Sequence, residues 1–472
     1  MSRQQVIEAA LAHFDSGAFR DDLARRVQLA TESQIEGTGA RLQAYLDEIV
    51  IPGLNALGFS HEVLANPVEG FGPILIAERV EPGAGFTVLS YGHGDVVMGY
   101  DEQWHEGRSP WRLSVEGDRW YGRGTADNKG QHAINLAALA RVIAVRGELG
   151  YNVRLIIEMG EETGSPGLRA LCERERDRLA ADVFIASDGP RLGADKPTLF
   201  LGSRGSWNVN LSVEARDRAH HSGNWGGVLK NPATRLNAAL ASIVDERGRL
   251  LVEGLRPPAI SDSVRRILAQ IEVGGGETDP PLDEGWGEPG LSAAERLLGW
   301  NTFEILAMTA GSPEAPANAI PARARANCQL RYVVGSRPQA FFDQLRAHLD
   351  AHGFGDVHIE NARITMMPAT RLDPDDPWVA WALASMARST AHPPMLLPNL
   401  GGSLPNDVFA DVLALPTLWV PHSYPACNQH APDEHLLGSV ARESLAIMAG
   451  LWWDLAEQGG TVIRERAQWQ TA

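Results

Sequence analysis

Polar residues stand directly after three short apolar segments of this chain, where β-strands would end. The segments, rich in β-branched and aromatic residues, are 86–91, 153–159 and 183–186. They lead into His93, Glu162 and Asp188, respectively. Between the first two segments, the Ala, Leu and Val content of 135–145 predicts a helix, opened by a turn at 130–132. Strand, helix and strand with polar residues at strand ends predict an α/β fold with a mostly parallel sheet flanked by helices, whose carboxyl edge holds a site.

The middle of the chain has a different pattern. Strands are predicted at 207–213, 301–308, 322–334 and 357–366, and helices at 232–245 and 338–352. This is an α+β unit of four strands and two helices. A helix at 378–388 and a strand at 413–420 then return to the first fold. We therefore predict a discontinuous domain of 1–204 and 367–472, interrupted by an inserted domain of 205–366.

Composition excludes some partners. The chain has 472 residues and a formal net charge of −17, with 44% hydrophobic and 21% charged residues. These fractions are ordinary for a globular protein of two or three domains. The acidic balance argues against nucleic acid and anionic membrane as partners, because both attract basic surfaces.

The location of the protein is predicted from its ends and its cysteines. Acidic residues interrupt the first thirty positions, which therefore lack the apolar core of a signal peptide, and we find no run of eighteen apolar residues. Cys172, Cys328 and Cys427 are far apart and odd in number. Free thiols in a reducing compartment are the expected state, so we predict a cytoplasmic protein.

Two imidazoles and three carboxylates form a candidate ligand set. They are His93, Asp127, Glu162, Asp188 and His430, with Glu161 left over beside Glu162. Such a set suits two zinc-like ions, and the extra carboxylate could serve as a base for a bound water. Asp95 lies two residues after His93, so its side chain is expected on the same face. It could accept the second imidazole N–H and thereby orient His93 as a ligand.

The motifs around these residues resemble a known family. They are Tyr91-Gly92-His93-Gly94-Asp95, Gly124-Thr125-Ala126-Asp127-Asn128-Lys129-Gly130, Gly160-Glu161-Glu162-Thr163-Gly164, Ser187-Asp188-Gly189 and His430-Ala431-Pro432-Asp433-Glu434. Their order is similar to that of the co-catalytic di-zinc peptidases and deacylases. That family includes carnosinase-like dipeptidases, carboxypeptidase G, acetylornithine deacetylase and succinyl-diaminopimelate desuccinylase. The resemblance runs from about His61 to about Leu437.

The resemblance implies a role for each of these residues. Asp127 would bridge the two ions, and the peptide bond after it would be cis. Asp188 would complete the ion of His93, while Glu162 and His430 would complete the other. Glu161 would be the general base that takes a proton from a metal-bridging water.

Plainer interpretations of the same residues stay open. Asp127 could be the N-cap of the following helix. A pair such as Glu161 and Glu162 is common on solvated helices. His422 and His435, near the last motif, are expected to be structural or exposed.

The inserted domain resembles the family's lid and dimerisation domain. His221 corresponds to the lid histidine that reaches across a dimer to stabilise the oxyanion. The chain departs from the pattern at Ala219, where the family often has Asp, and His220 is an alternative. Asn318 and Arg331 would hold the substrate carboxylate, since arginine suits a bidentate grip; a strand-edge arginine is the competing account. Gly402, in the stretch from Gly401 to Pro405, would line the pocket through backbone amides.

The resemblance predicts a metal-dependent amide hydrolase, most simply a dipeptidase or an N-acyl-amino-acid deacylase acting on small substrates with a free carboxylate. Two divalent ions per chain are expected, zinc first, with manganese or cobalt also suited to carboxylate-rich sites. A homodimer through the inserted domain is expected. Hydrolysis of a non-peptide small molecule is an alternative, because pocket details decide function. A non-catalytic metal-binding or peptide-binding relative is a second, and the presence of Glu161 argues against it.

Overall fold

A computed structural model describes residues 1–274, 279–362 and 366–471. It divides into two compact units. Unit 1 comprises Met1–Gly202, Leu372–Leu397 and Pro405–Ala472, and unit 2 comprises Ser203–Arg371 and Pro398–Leu404. This division places Pro398–Leu404, and with it Gly402, in unit 2, whereas the sequence pattern had grouped these residues with the surrounding fold.

The regular elements are numbered in chain order. The α-helices are α1 (Arg3–Asp15), α2 (Ala18–Val27), α3 (Gly39–Tyr45), α4 (Ile51–Ala56), α5 (Lys129–Arg146), α6 (Leu168–Arg174), α7 (Ser222–Trp225), α8 (Pro232–Ile243), α9 (Asp262–Leu268), α10 (Ala293–Leu298), α11 (Phe341–Ala351), α12 (Pro377–Ala387) and α13 (Gly438–Trp469). The strands are β1 (Ser60–Leu64), β2 (Ile74–Arg79), β3 (Thr87–His93), β4 (Ser114–Glu116), β5 (Arg119–Tyr121), β6 (Asn152–Glu158), β7 (Val183–Ala186), β8 (Thr198–Phe200), β9 (Gly202–Ser203), β10 (Gly205–Glu214), β11 (His220–His221), β12 (Thr302–Thr309), β13 (Ala319–Ile320), β14 (Arg323–Tyr332), β15 (His358–Asn361), β16 (Thr370–Arg371), β17 (Met395–Leu397), β18 (Thr417–Trp419) and β19 (His435–Leu437).

Unit 1 is built on a mixed sheet with a parallel centre. The strand order is β1-β2-β6-β3-β7-β18-β8-β17. The four neighbouring strands β6, β3, β7 and β18 run parallel, while β1 with β2, β2 with β6, and β18 with β8 are antiparallel. The predicted strands before His93, Glu162 and Asp188 are therefore neighbours, and their carboxyl ends meet at one edge of the sheet.

Strand β3 shows why the central strands read as continuous apolar runs. Six of its seven residues are buried, as expected when both faces of a sheet are covered. Gly92 allows the close approach of helix α5, because a Cβ there would come within 2.6 Å of the His132 Cβ.

Helix α5 begins earlier than the sequence pattern indicated. The predicted turn at 130–132 is the first turn of the helix, and Asn128 is the N-cap residue. The N-cap interpretation of Asp127 is therefore wrong. Gly130 permits this start, since a Cβ there would lie 2.0 Å from the carbonyl oxygen of Thr125.

Helices at both ends of the chain complete unit 1. The sequence pattern predicted neither the helices α1 to α4 at the N-terminus nor the long helix α13. The buried side chains of Val6 and Ala10 from α1 and of Leu445 and Trp452 from α13 belong to one hydrophobic core with the sheet. Among the helices in the described part of the chain, none combines the length and the apolar composition needed to cross a bilayer.

Unit 2 contains a four-stranded antiparallel sheet in the order β12-β14-β10-β15. Helices α8 and α11 contribute Leu236, Leu240 and Leu345 to its core, and Phe341 packs against Tyr332 with ring centroids 5.1 Å apart. The predicted strand 357–366 is observed as His358–Asn361, and 363–365 lie outside the described residues. The fold is thus α/β in unit 1 and α+β in unit 2, as predicted.

Candidate active site

Unit 1 brings the five candidate ligands together in two groups that share one aspartate. One group is His93, Asp127 and Asp188, and the other is Asp127, Glu162 and His430. Within each group the candidate ligand atoms lie within 4.8 Å of one another. These are the two sets that the resemblance implied.

The His93 group is enclosed by protein. The Nε2 atom of His93 lies 3.1 Å from Oδ1 of Asp127 and 3.6 Å from Oδ2 of Asp188. His93 is the last residue of β3, and Asp188 follows β7, the neighbouring parallel strand. All three residues are buried. Adjacent strand ends therefore define this half of the site.

The His430 group is more open. The Nε2 atom of His430 lies 3.0 Å from Oδ2 of Asp127 and 3.1 Å from Oε2 of Glu162, and about half of its side chain is exposed. Gln429 also donates a hydrogen bond to Oδ2 of Asp127. No sequence motif had pointed to Gln429; its only signal was its position next to His430.

Asp127 is oriented so that each of its carboxylate oxygens faces a different histidine. It precedes α5 in a glycine-rich loop, and the peptide bond between Asp127 and Asn128 is cis, as the resemblance implied. Burial raises the pKa of Asp127, but hydrogen bonds from His430 and His93 outweigh it and hold the pKa well below its usual range.

Asp95 has a wider role than the sequence suggested. The Nδ1 atom of His93 lies 3.0 Å from the Asp95 carbonyl oxygen and 3.3 Å from its Oδ1 atom, so the carbonyl is the nearer partner. The carboxylate also accepts hydrogen bonds from the backbone N–H groups of Glu161 and Glu162, at 3.2 Å and 3.1 Å. Asp95 therefore connects the end of β3 to the turn that carries both glutamates.

Glu161 and Glu162 lie in a short 3-10 turn after β6, not on a solvated helix. The Glu162 side chain is 4% exposed, and burial together with Asp127 raises its pKa to about 7. For Glu161, burial and the charges of Asp188 and Glu162 outweigh the effect of His93 and raise the pKa well above its usual range. Both carboxyl groups are therefore close enough to the other candidate ligands for their charges to shift the glutamate pKa values.

The donor set fits divalent metal ions. The Oε1 atom of Glu162 is buried without a hydrogen-bond partner among the described residues, which is costly for a polar atom unless a ligand satisfies it. The carboxylates raise the pKa of His430 to about 11, and that of His93 well above normal despite its burial. A site that attracts positive charge so strongly and offers only imidazole and carboxylate donors suits zinc-like ions.

Further residues behind the site were not predicted. Asn128 lies 3.2 Å from Nδ1 of His132, and Nε2 of His132 lies 2.8 Å from the hydroxyl of Tyr45. Arg26 approaches both Tyr45 and His132. Two of these side chains come from α2 and α3, and their contacts depend on packing that the sequence pattern did not indicate.

His422, His435 and Cys427 do not belong to either group of candidate ligands. His422 is buried, with Nε2 3.0 Å from Oγ of Ser187, and His435 is also buried. Cys427 is buried and free, and burial raises the pKa of its thiol to about 12, which disfavours the nucleophilic thiolate.

The predicted substrate residues all belong to unit 2. His221 is exposed, and its Nδ1 accepts a hydrogen bond from the N–H of Gly223, while His220 packs edge-on against Trp225. Strand β11, which contains both histidines, pairs with β13, and the carbonyl of Asn318 just before β13 accepts the N–H of Ser222.

Arg331 lies beside the glycine-rich stretch that contains Gly402. Its Nη1 donates to Oγ of Ser403 at 2.8 Å. The neighbouring Arg204 donates through Nε to the carbonyl of Gly401, and burial together with the charge of Arg331 lowers the Arg204 pKa to about 10. A Cβ at Gly402 would meet only Leu400, so packing alone does not require glycine there.

Comparisons with known proteins find relatives that are similar in sequence. The chain is 31% identical to a Beta-Ala-His dipeptidase of Mus musculus over 59% of its length and 58% of that protein's length. It is 30% identical to a Cysteinylglycine-S-conjugate dipeptidase of Corynebacterium striatum over 49% of its length and 53% of that protein's. The alignments thus span little more than half of these relatives.

The fold is shared over a longer stretch. The crystal structure of human carnosine dipeptidase 1 matches with a TM-score of 0.76, at 22% identity, over 96% of this chain and 99% of that one.

Two groups of histidine and carboxylate donors that share one aspartate could hold two divalent metal ions. The family model for Peptidase family M20/M25/M40 matches residues 89–457, and the chain belongs to this family.

Proposed function

We propose that this protein is a two-metal hydrolase that cleaves the amide bond of small substrates with a free carboxylate, dipeptides above all. The observation that carries the proposal is the pair of ligand groups sharing Asp127. The dipeptidase names of the relatives support the substrate class. N-acyl amino acids are the second class to test, because they present the same amide bond next to a carboxylate.

Five residues are proposed as the ligands of the two ions: His93, Asp127, Glu162, Asp188 and His430. Two bound divalent cations would polarise the scissile carbonyl and lower the pKa of a nearby water. Zinc is the first candidate, and manganese and cobalt also suit this donor set. Three buried free cysteines support a reducing compartment and hence the cytoplasm.

Glu161 is proposed as the general base and Glu162 as the ligand. Glu162 belongs to the His430 group, whereas Glu161 is adjacent to it in the turn held by Asp95. Glu161 would accept a proton from the attacking water and later deliver it to the leaving amine. Asp95 would assist by holding the imidazole of His93 and the backbone of the turn.

Unit 2 is proposed to bind the substrate. Arg331 and Asn318 would hold the free carboxylate, and two neighbouring guanidinium groups beside the Gly401–Ser403 stretch support an anion there. The amides around Gly402 would line the same pocket. His221 would stabilise the oxyanion; its Nδ1 already accepts the Gly223 N–H, which leaves Nε2 as the atom available to donate.

The glutamate pair provides the sharpest test of this function. Glu161→Gln keeps the shape of the side chain but removes the proton acceptor, so metal content should persist while kcat falls by at least about a hundredfold. Glu162→Gln, one residue away, should instead weaken the binding of one ion. Kinetics on a panel of dipeptides and N-acyl amino acids, with metal analysis of each variant, would measure both effects. Equal metal loss in the two variants, or no activity in the metal-loaded wild type, would contradict the proposal.

A homodimer through the inserted domain is also proposed, with His221 entering the partner's site. Glu161→Ala and His221→Ala proteins should each be nearly inactive. After random subunit exchange about half of the dimers are mixed, and one of the two sites in each mixed dimer is intact, so roughly a quarter of the wild-type activity should return. If exchange is proven and activity does not recover, His221 acts in its own chain or not at all.

A further inference from the structure

Glu434 is a buried carboxylate that the proposed chemistry does not use. It lies four residues after His430 and immediately before β19. Its side chain is 1% exposed, and burial raises its pKa even though Arg123 is adjacent.

The carboxylate of Glu434 is bound to the loop that carries Asp127. Its Oε1 accepts the backbone N–H groups of Ala126 at 2.9 Å and of Asp127 at 3.0 Å. Both of its oxygens lie within 3.1 Å of the Gly124 amide nitrogen, and Oε2 accepts a hydrogen bond from Nη1 of Arg123 at 2.8 Å. The carbonyl of Glu434 accepts the N–H of Gly122, so main chain and side chain hold the same loop.

This loop needs an external support. Asp127 must direct one oxygen to His93 and the other to His430, which requires a fixed backbone. The preceding sequence is flexible by composition, with Gly124 at a φ of +87°. A carboxylate that accepts successive N–H groups removes this freedom. Because Glu434 is in the same loop as His430, it also ties the two ligands together.

A contribution to folding stability is not a sufficient reason for the buried ion pair of Arg123 and Glu434. A buried ion pair usually contributes little more than apolar residues of the same volume, because both charges lose their hydration. Arg123 also keeps its Nε and Nη2 atoms buried without a hydrogen-bond partner among the described residues. The Glu434 carboxylate therefore satisfies the backbone N–H groups of the Asp127 loop more completely than it satisfies the N–H groups of Arg123.

We propose that Glu434 is a positioning residue that holds Asp127 and His430 in the relative geometry needed to bind two metal ions. This inference rests on the proposed two-metal function. It assigns Glu434 no contact with substrate or metal. The role is carried by its hydrogen bonds to the backbone of the Asp127 loop.

The test compares two neighbouring substitutions in the full-length protein. Glu434→Gln retains one acceptor oxygen but turns an NH₂ group toward donors, either the Arg123 guanidinium or the loop amides. Asp433→Asn makes the same chemical change one residue earlier, where the side chain pairs with His105 and Arg108 instead. Calorimetric titration of metal-free protein with Mn²⁺ and with Zn²⁺ gives stoichiometry and affinity, and circular dichroism reports folding.

We expect two ions for the wild type and for Asp433→Asn. Glu434→Gln should fold but bind at least one ion at least about tenfold more weakly, with kcat partly restored by excess metal. Glu434→Gln binding as tightly as Asp433→Asn would overturn the inference. If Glu434→Gln does not fold, Glu434→Asp is titrated, since it keeps the charge but withdraws the oxygens by about 1.5 Å. Wild-type affinity in Glu434→Asp, or loss of folding at every metal concentration in both variants, would also overturn it. A wild type that binds no metal would overturn the proposed function itself.

Discussion

The two halves of the proposed metal centre share Asp127 but differ in their surroundings. The His93 side chain is fully buried, whereas that of His430 is 53% exposed. His93 and Asp188 stand at the ends of neighbouring parallel strands. Glu162 and His430 stand in a 3-10 turn and in a loop where Asn428, His430 and Asp433 all have positive φ.

A single centre can thus combine one rigidly held set of ligands with one that is open to solvent. Ligands on sheet strands are held by the register of the sheet, while ligands on loops depend on local hydrogen bonds. We therefore expect the ion of the His93 group to be bound more tightly and exchanged more slowly. The ion of the His430 group should be the labile one, because its imidazole faces solvent.

The largest effect should come from the residue that both halves share. Asp127→Ala removes one ligand from each group, so both ions and essentially all activity should be lost. His430→Ala should lose only the exposed ion. Metal analysis after gel filtration checks this, and retention of one tightly bound ion by Asp127→Ala would contradict the shared role.

Chelation of the wild-type protein should remove the two proposed ions one after the other. A mild chelator is expected to remove the ion of the His430 group first and to leave about one equivalent per chain. Activity should fall with the first equivalent, since both ions serve the reaction. Metal analysis and activity measured on the same samples check the order; simultaneous loss of both ions would show that the difference in burial does not control exchange.

A smaller effect concerns Glu158, a buried residue near the His93 group, and the pH dependence of folding stability that it causes. Glu158 is buried at the end of β6, where it accepts hydrogen bonds from Tyr91 and Ser165, and burial with the charge of Asp95 raises its pKa to about 7. Because the unfolded carboxyl titrates near its ordinary value, the folded state binds the extra proton between these two values. This group therefore lowers stability as the pH rises through this window.

Glu158→Gln mimics the protonated form and should lack that dependence. Relative to the wild type, it should gain up to roughly 3 kcal/mol of unfolding free energy between pH 4.5 and pH 7.5. Denaturant unfolding of the metal-free proteins at several pH values measures the difference. Parallel pH profiles for the two proteins would show that Glu158 is ionised in the folded state.

Much of the fold and of the candidate site could be predicted from local pattern. The apolar segments before His93, Glu162 and Asp188 are strands, and the inserted α+β unit has the expected four-stranded sheet. The sequence pattern places the start of α5 too late. The helix can begin at Lys129 because Gly130, which lacks a Cβ, lies close to the carbonyl oxygen of Thr125. The sequence pattern did not predict helices α1 to α4 or α13.

The identity and order of the donors, and the strands and turns that carry most of them, follow from the sequence, since they depend on neighbouring residues. The way in which the donors combine follows only from the packing of distant segments. Asp127 lies between two histidines, and Glu434 reaches the amide of Gly124 from 310 positions away in the chain. Such contacts are made by loops whose conformation no local periodicity encodes. Their geometry is set when the sheet and helices pack and bring distant segments within hydrogen-bonding distance.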